Sequence, residues 1–357
     1  MSKKINKKNL KVLYVATKYD YGDKNRGYSF EHENFYKTLI NMFKDVSYFD
    51  FMENYQKFGK DMMNQLLLDA ILKEKSDLMF CCLSNDELDK DVIKYISEKT
   101  DTTTFNWFCD DDWRFEDYSQ FWAPCFNYVS TTSKKAYEEY KKTGHNNVIF
   151  TQWACNHFYY KKLNLDKIYD VTFIGLPHGN RREWITNIIN SGIKLKYWGY
   201  RWKEIPTNIF FKGFWFFPKR IPYLKKLYQK TINHIKNSTR ISQKDMIKVY
   251  NQTKINLNLS LSSNKKTIEI KGRNFEIPGC GSFLLTNYAP HLEEYYKIGK
   301  ELVCFEDLED LKEKINYYLK NEEEREKIAL AGYLRTLNDH TYERRFTEIF
   351  NQIILKV

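Results

Sequence analysis

Short apolar runs alternate with segments whose apolar residues recur every three and four positions, and this alternation passes along the chain twice. In the first pass the strand candidates are 12–16, 46–51, 78–83, 103–108, 128–131 and 148–151. Between them, helical spacing is carried by Phe35, Leu39 and Met42, by Met62, Met63, Leu66, Leu67 and Ala70, and by the stretch 136–140. A polar stretch at 159–169 interrupts. The pattern restarts with 171–175, a helix over 182–190, 195–198, a helix behind the N-cap candidate Ser242, and 255–259. Strands at 282–286 and 302–305 and helices at 308–319, 322–336 and 342–354 close it. Strands separated by helices return in parallel, and a parallel sheet needs helices on both faces. The predicted class is therefore α/β. One doubly wound, Rossmann-like domain is expected over 1–160 and a second over 169–340, with a C-terminal helix in 341–357 packing back toward the first. Two such domains facing each other enclose a central cleft, with ligands at the carboxyl edges of both sheets.

The 357 residues suit two domains, and 42% hydrophobic with 17% aromatic residues fill two cores, which excludes intrinsic disorder. The apolar run at 12–16 is too short for a signal-peptide core, and no window approaches the roughly 20 apolar residues of a membrane span. The expectation is a cytoplasmic protein, with attachment to the inner membrane surface left open. Seven cysteines, with Cys81 and Cys82 adjacent and no C-x-x-C pair, read as reduced thiols rather than a disulfide framework or a zinc site. The net charge of +11 is concentrated in one place: ten basic residues between Arg201 and Arg240 face the single acid Glu204.

The most informative stretch is Lys271-Gly272-Arg273-Asn274-Phe275-Glu276-Ile277-Pro278-Gly279-Cys280-Gly281-Ser282-Phe283-Leu284-Leu285-Thr286. It reads as a short helix carrying Glu276 that ends at glycines and feeds a buried strand. Gly279 and Gly281 permit φ > 0 and close approach of a ligand, while Lys271 and Arg273 can neutralise phosphates. A carboxylate so placed can accept hydrogen bonds from the two hydroxyls of a ribose. A helix C-cap beside a surface ion pair is the plain structural alternative.

The run Arg273–Gly281 just quoted, followed by Leu284-Leu285-Thr286, resembles the signature of the CgeB-like (spore-maturation type) glycosyltransferases. Gly299-Lys300-Glu301-Leu302-Val303, Asp339-His340-Thr341-Tyr342, Phe173-Ile174-Gly175 and Lys254-Ile255-Asn256-Leu257-Asn258 extend the resemblance over roughly 170–350. It implies the GT-B fold, two Rossmann-like domains with the nucleotide-sugar donor held mainly by the C-terminal one. It also implies that Glu276 holds the donor ribose, that Gly279 and Gly281 let the backbone approach, and that Arg273 and Lys271 face the diphosphate or sugar. Transfer would be metal-independent, with no tightly bound cofactor and a nucleotide-diphosphate sugar, taken as a UDP-sugar, as donor substrate. Many retaining GT-B enzymes carry two glutamates with seven residues between them. Six residues lie between Glu269 and Glu276, so the stereochemistry stays undecided.

The loop Gly175-Leu176-Pro177-His178-Gly179-Asn180-Arg181-Arg182 leaves a strand and enters a helix. Helix N-terminal amides and arginines form a diphosphate seat, which assigns Gly175, His178 and Arg181 to the donor. Asp110-Asp111-Asp112 follows the strand at 103–108. Asp110 or Asp111 is a candidate base on an acceptor hydroxyl, an acidic turn capping the next helix being the alternative. The loop Gly22-Asp23-Lys24-Asn25-Arg26-Gly27 precedes a helix entered near Ser29, whose first turn holds a third base candidate, His32.

Within the basic segment, Ile221, Leu224, Tyr228, Ile232 and Ile235 share one helical face, with Lys225, Lys226, Lys230 and Lys236 elsewhere. Such a helix lies on an anionic membrane through 210–238, grips a polyanion, or packs on its parent domain. The expected function is transfer of a sugar from a nucleotide-diphosphate sugar to an acceptor hydroxyl on a cell-surface or lipid-linked glycan or a protein. One alternative is a phage-type glycosyltransferase acting on modified DNA bases, with nucleic acid as partner. The other is a non-catalytic surface-layer or assembly protein that retains the fold.

Overall fold

The computed structural model describes residues 10–202, 241–261, 267–353 and 356. The amphipathic helix expected at 210–238 lies outside the described residues. The chain divides into two compact units, Met1–Tyr159 with Asn338–Val357, and Tyr160–Leu337.

The first unit holds an all-parallel sheet of six strands: β1 (Lys11–Ala16), β2 (Asp45–Asp50), β3 (Leu78–Cys81), β4 (Thr103–Trp107), β5 (Tyr128–Thr131) and β6 (Val148–Phe150). Their spatial order is β2-β1-β3-β4-β5-β6. Side chains alternate across a strand, so β1 sends Leu13 and Val15 to one core and Val12, Tyr14 and Ala16 to the other. Met79 and Cys81 of β3 join the first core, Leu78 and Phe80 the second. Both faces are covered, which is why these strands read as continuous apolar runs.

The expected strand 46–51 stops one residue early because the Asp50 side chain accepts from Glu53 N at 3.1 Å and starts the helix Phe51–Phe58. That unforeseen helix carries Phe51, Tyr55 and Phe58 at helical spacing but buries only Phe51 of the three. The helix Lys90–Lys99, also unforeseen, buries Ile93 and Ile96. At the far end of the chain the helix Tyr342–Gln352 packs Tyr342, Phe346, Ile349 and Phe350 into the second core with Val12, Tyr14, Phe80, Phe105 and Trp107. Removing a buried ring such as Phe346 costs about 3–5 kcal/mol. Cys155 N donates to His340 O at 2.9 Å and Tyr342 N to Cys155 O at 3.0 Å, fastening the entry to this helix.

The second unit holds five parallel strands, β7 (Tyr169–Ile174), β8 (Leu195–Trp198), β9 (Thr253–Asn258), β10 (Leu284–Asn287) and β11 (Val303–Phe305), in the order β11-β10-β9-β7-β8. Val171, Phe173, Ile255, Leu257, Leu285 and Phe305 face one apolar core with Ile185, Ile188, Leu311 and Ile315. The opposite face of the same strands buries Thr172, Asn256, Asn258 and Thr286 beside Ile174 and Leu284. The helix Gln243–Asn251 begins at Ser242, whose side chain accepts from Asp245 N at 3.1 Å, as its position predicts. No helix among the described residues is long and apolar enough to cross a membrane.

In each sheet the strand order reverses once, between β1 and β3 and between β7 and β9. At such a reversal the connections leave to opposite faces and open a crevice beyond the carboxyl ends of the strands, where α/β proteins take ligands.

Candidate functional site

At the β7/β9 reversal the chain leaves Ile174 and turns into the helix Arg181–Asn190. Gly175 N donates to Trp198 O at 2.9 Å, and Gly175 O accepts from Trp202 Nε1 at 2.6 Å. Gly199, at φ +152°, crosses so closely that a Cβ there would lie 1.9 Å from the Gly175 carbonyl oxygen. His178 sits half-buried on the loop. Asn180 offers the helix no side-chain cap; Arg181 N donates to His178 O at 3.4 Å, which leaves the Arg182 and Glu183 amides to other acceptors.

Arg181 is only 7% exposed. Its guanidinium donates to Leu176 O at 3.2 Å, to Leu259 O, and to Leu261 O at 3.2 Å, lacing the end of β7 to the end of β9. Burial and the neighbouring charge of Arg273 push its pKa down to about 9, and no carboxylate among the described residues offsets them.

Arg273 opens the helix Arg273–Gly279, which is held to the sheet through the polar faces of β9 and β10. Asn258 Nδ2 donates to Ser260 Oγ at 2.8 Å, to Thr286 Oγ1 at 3.3 Å and to Asn274 Oδ1 at 3.4 Å. Asn274 Oδ1 also accepts from Lys271 N at 2.9 Å. Glu276 is 3% exposed. Burial raises its pKa against the pull of Arg273 and of a hydrogen bond from Tyr160. Burial opposes charge on Arg273, but Tyr250, Glu276 and Tyr160 outweigh it and raise its pKa.

The motif thus divides. Arg273, Glu276 and Arg181 come together, whereas the Lys271 ammonium is engaged by Glu269, which also accepts from Thr267 Oγ1 at 2.8 Å. Gly281 adopts φ +66° with the Lys162 stem against it. Gly279 lies buried inside the helix without a positive φ, so the conformational freedom expected of both glycines is used only at Gly281. Tyr160 and Tyr250, both 1% exposed, went unrecognised: one lies in the polar stretch and the other on the helix Gln243–Asn251, and neither carries a spacing signal.

In the first unit the acidic triplet also divides. Asp111 is 2% exposed, accepts from Tyr140 OH at 3.2 Å and is bonded by Ser119 and Thr131; burial raises its pKa to about 6. Asp112 accepts from Ser133 Oγ at 2.7 Å. Asp110 stands half-buried at the N-cap of the short helix Asp111–Arg114. His32, 6% exposed, stacks on Tyr28 at 4.5 Å and leans on Tyr36 at 5.1 Å. Burial, Lys37 and Lys18 lower its pKa to about 4, so the imidazole is neutral at pH 7.

Residues 181–351 match the model of a family described as glycosyl transferase-like. The chain is 25% identical to the spore protein CgeB of Bacillus subtilis strain 168 over 226 residues, which are 60% of this chain and 64% of CgeB. The match therefore spans a little under two thirds of that relative. In structure the chain is similar to a glycosyltransferase from Rickettsia africae, with a TM-score of 0.60 and 12% identity over 96% of this chain and 97% of that one. It is likewise similar to Anabaena Alr3699/HepE in complex with UDP, with a TM-score of 0.59 and 11% identity over 96% and 100%. In fold, then, the chain is a GT-B protein; in sequence it is similar to the spore protein CgeB, and its residues 181–351 match a glycosyl transferase-like model.

Proposed function

We propose that the chain moves a sugar from a UDP-sugar to a hydroxyl of a glycan, lipid-linked or protein acceptor. The observation that carries this reading is the Arg181–Arg273 pair. Two guanidinium groups lie in electrostatic range at a sheet reversal, and among the described residues no carboxylate balances the first. A diphosphate relieves that repulsion, and the uncapped amides of the helix Arg181–Asn190 add donors beside Gly175 and His178. Glu276 accepts from the ribose hydroxyls. Support for uridine comes from Anabaena HepE, solved with UDP and with UDP-glucose.

As the bond from the anomeric carbon to the leaving phosphate oxygen breaks, negative charge grows on the diphosphate. Guanidinium groups already fixed in place stabilise it without reorganising. The acceptor oxygen forms the new glycosidic bond and gives up its proton to a base. Asp110 is the first candidate, because Asp111 is enclosed by its hydrogen-bond donors and His32 is too weak a base at a pKa of about 4. The basic segment between Arg201 and Arg240 would hold the enzyme at an anionic inner-membrane surface, which flotation with liposomes tests.

Calorimetric titration of the full chain with UDP and UDP-glucose is the direct test. Wild type should bind, and Arg273→Met should bind roughly 10- to 100-fold more weakly, the worth of one charge-assisted hydrogen bond. A thermal-shift screen in which no nucleoside diphosphate or nucleotide sugar raises the melting temperature sinks the reading.

A further inference from the structure

At the other sheet reversal, between β1 and β3, three metal-ligating side chains converge. Glu31 lies at the start of the helical segment that follows β1, Cys82 directly follows β3, and Cys109 lies just beyond β4. Strands β1, β3 and β4 are neighbours, so all three residues arrive at one carboxyl edge. One ligand atom from each lies within 4.8 Å of the others. The two Sγ atoms are 3.6 Å apart. Cys82 is 6% exposed, and Glu31 and Cys109 are half-buried. Asp110 and Asp20, the latter paired with Arg26 at 2.8 Å, both act on the Glu31 carboxylate.

We propose that Glu31, Cys82 and Cys109 form a binding site for one thiophilic divalent metal ion of the zinc class, with its fourth position open to water or a hydroxyl. The sulfur separation rules out a disulfide and leaves two neighbouring thiols that a metal ion can bridge without moving them apart. A disulfide requires about 2.05 Å, whereas two thiolates on a tetrahedral zinc at about 2.3 Å each stand roughly 3.8 Å apart. The observed 3.6 Å is close to the second value and far from the first. Two thiolates and a carboxylate exclude magnesium and calcium, which take oxygen ligands, and favour zinc. Three protein ligands and an open position is the arrangement of reactive rather than purely structural zinc sites. Cys109 follows Cys82 by 27 positions, which conceals the site from any short C-x-x-C pattern. It belongs to the first unit, whereas the donor reading rests on Arg181 and Arg273 in the second, so either can fail alone.

The test uses the full chain purified under reducing conditions, with elemental mass spectrometry for metal content and cobalt(II) as a spectroscopic probe. The expected result is about one zinc per chain and a thiolate-to-cobalt charge-transfer band in the near ultraviolet. Cys82→Ser and Cys109→Ser should lose both, Glu31→Gln should bind zinc at least tenfold more weakly, and Cys304→Ser, in β11, should keep both. If a serine variant fails to fold, protection of the wild-type thiols against alkylation by added zinc decides the same question. Wild-type protein with no zinc, no charge-transfer band and unprotected thiols overturns the proposal. So does a chain whose mass lacks the two thiol hydrogens until reductant restores them, which is the signature of a disulfide.

Discussion

Glu276→Gln separates two roles that one buried carboxylate can hold. Wild-type Glu276 is 3% exposed, and its pKa is raised from 4.5 by burial although Arg273 and Tyr160 pull the other way. The folded environment therefore disfavours the ionised form on balance. Between the unfolded and the folded pKa the native state binds more protons than the unfolded chain, so this group's contribution to stability falls as pH rises through that window. Glutamine keeps the volume and still accepts from Tyr160 but carries no charge. The variant should be as stable as wild type or more so at pH 7, with any gain shrinking as pH falls and vanishing below the ordinary carboxyl range. Binding should move the other way. Two ribose hydroxyls donating to a carboxylate are charge-assisted bonds, each worth about 1 kcal/mol more than its neutral counterpart. The loss of about 2 kcal/mol corresponds to roughly 30-fold weaker UDP binding. Calorimetry with UDP and with uridine, which has the ribose and no diphosphate, reads the binding; thermal unfolding at pH 5 and pH 7.5 reads the stability. A folded variant that binds both ligands within twofold of wild type, while losing stability at pH 7.5, would show that Glu276 serves only as a partner for Arg273.

Two further substitutions probe the scaffold. Asp111→Asn removes a carboxyl whose pKa is raised to about 6, so the gain should approach about 3 kcal/mol at most above pH 6 and disappear below pH 4, as measured by urea unfolding across pH. An unchanged or reduced stability at pH 7.5 would mean that the donors around Asp111 need its charge. Gly199→Ala drives a Cβ against the Gly175 carbonyl oxygen, and backbone cannot swing aside as a side chain would. It should destabilise the chain by more than about 2 kcal/mol and weaken UDP binding together, whereas Gly144→Ala, with nothing near its Cβ, should leave UDP binding intact. Wild-type UDP affinity in Gly199→Ala would remove the Gly175 loop from the donor seat.

What the sequence determined by itself is what is written locally. The period of apolar residues marked β1, β3, β4 and β9 to within a residue or two, and Ser242 announced its helix, because side-chain alternation and capping act between near neighbours. The short helix carrying Glu276 and its exit into β10 were legible for the same reason. The resemblance to a family added the fold, and the comparisons bear that fold out. Which partner each basic group meets was decided only by the tertiary structure. Lys271 and Arg273 are equivalent on paper, yet one meets Glu269 and the other lies beside Arg181, 92 positions away in the chain. Asp110 and Asp111 are adjacent, yet Tyr140 takes one of them inward. The pairing of Tyr160 with Glu276, the crossing of Gly199 over Gly175 and the meeting of Cys82 with Cys109 have no signature in spacing. Each depends on strands distant in sequence lying side by side, and the order of strands in a parallel sheet is set by long crossovers whose ends the local pattern does not join.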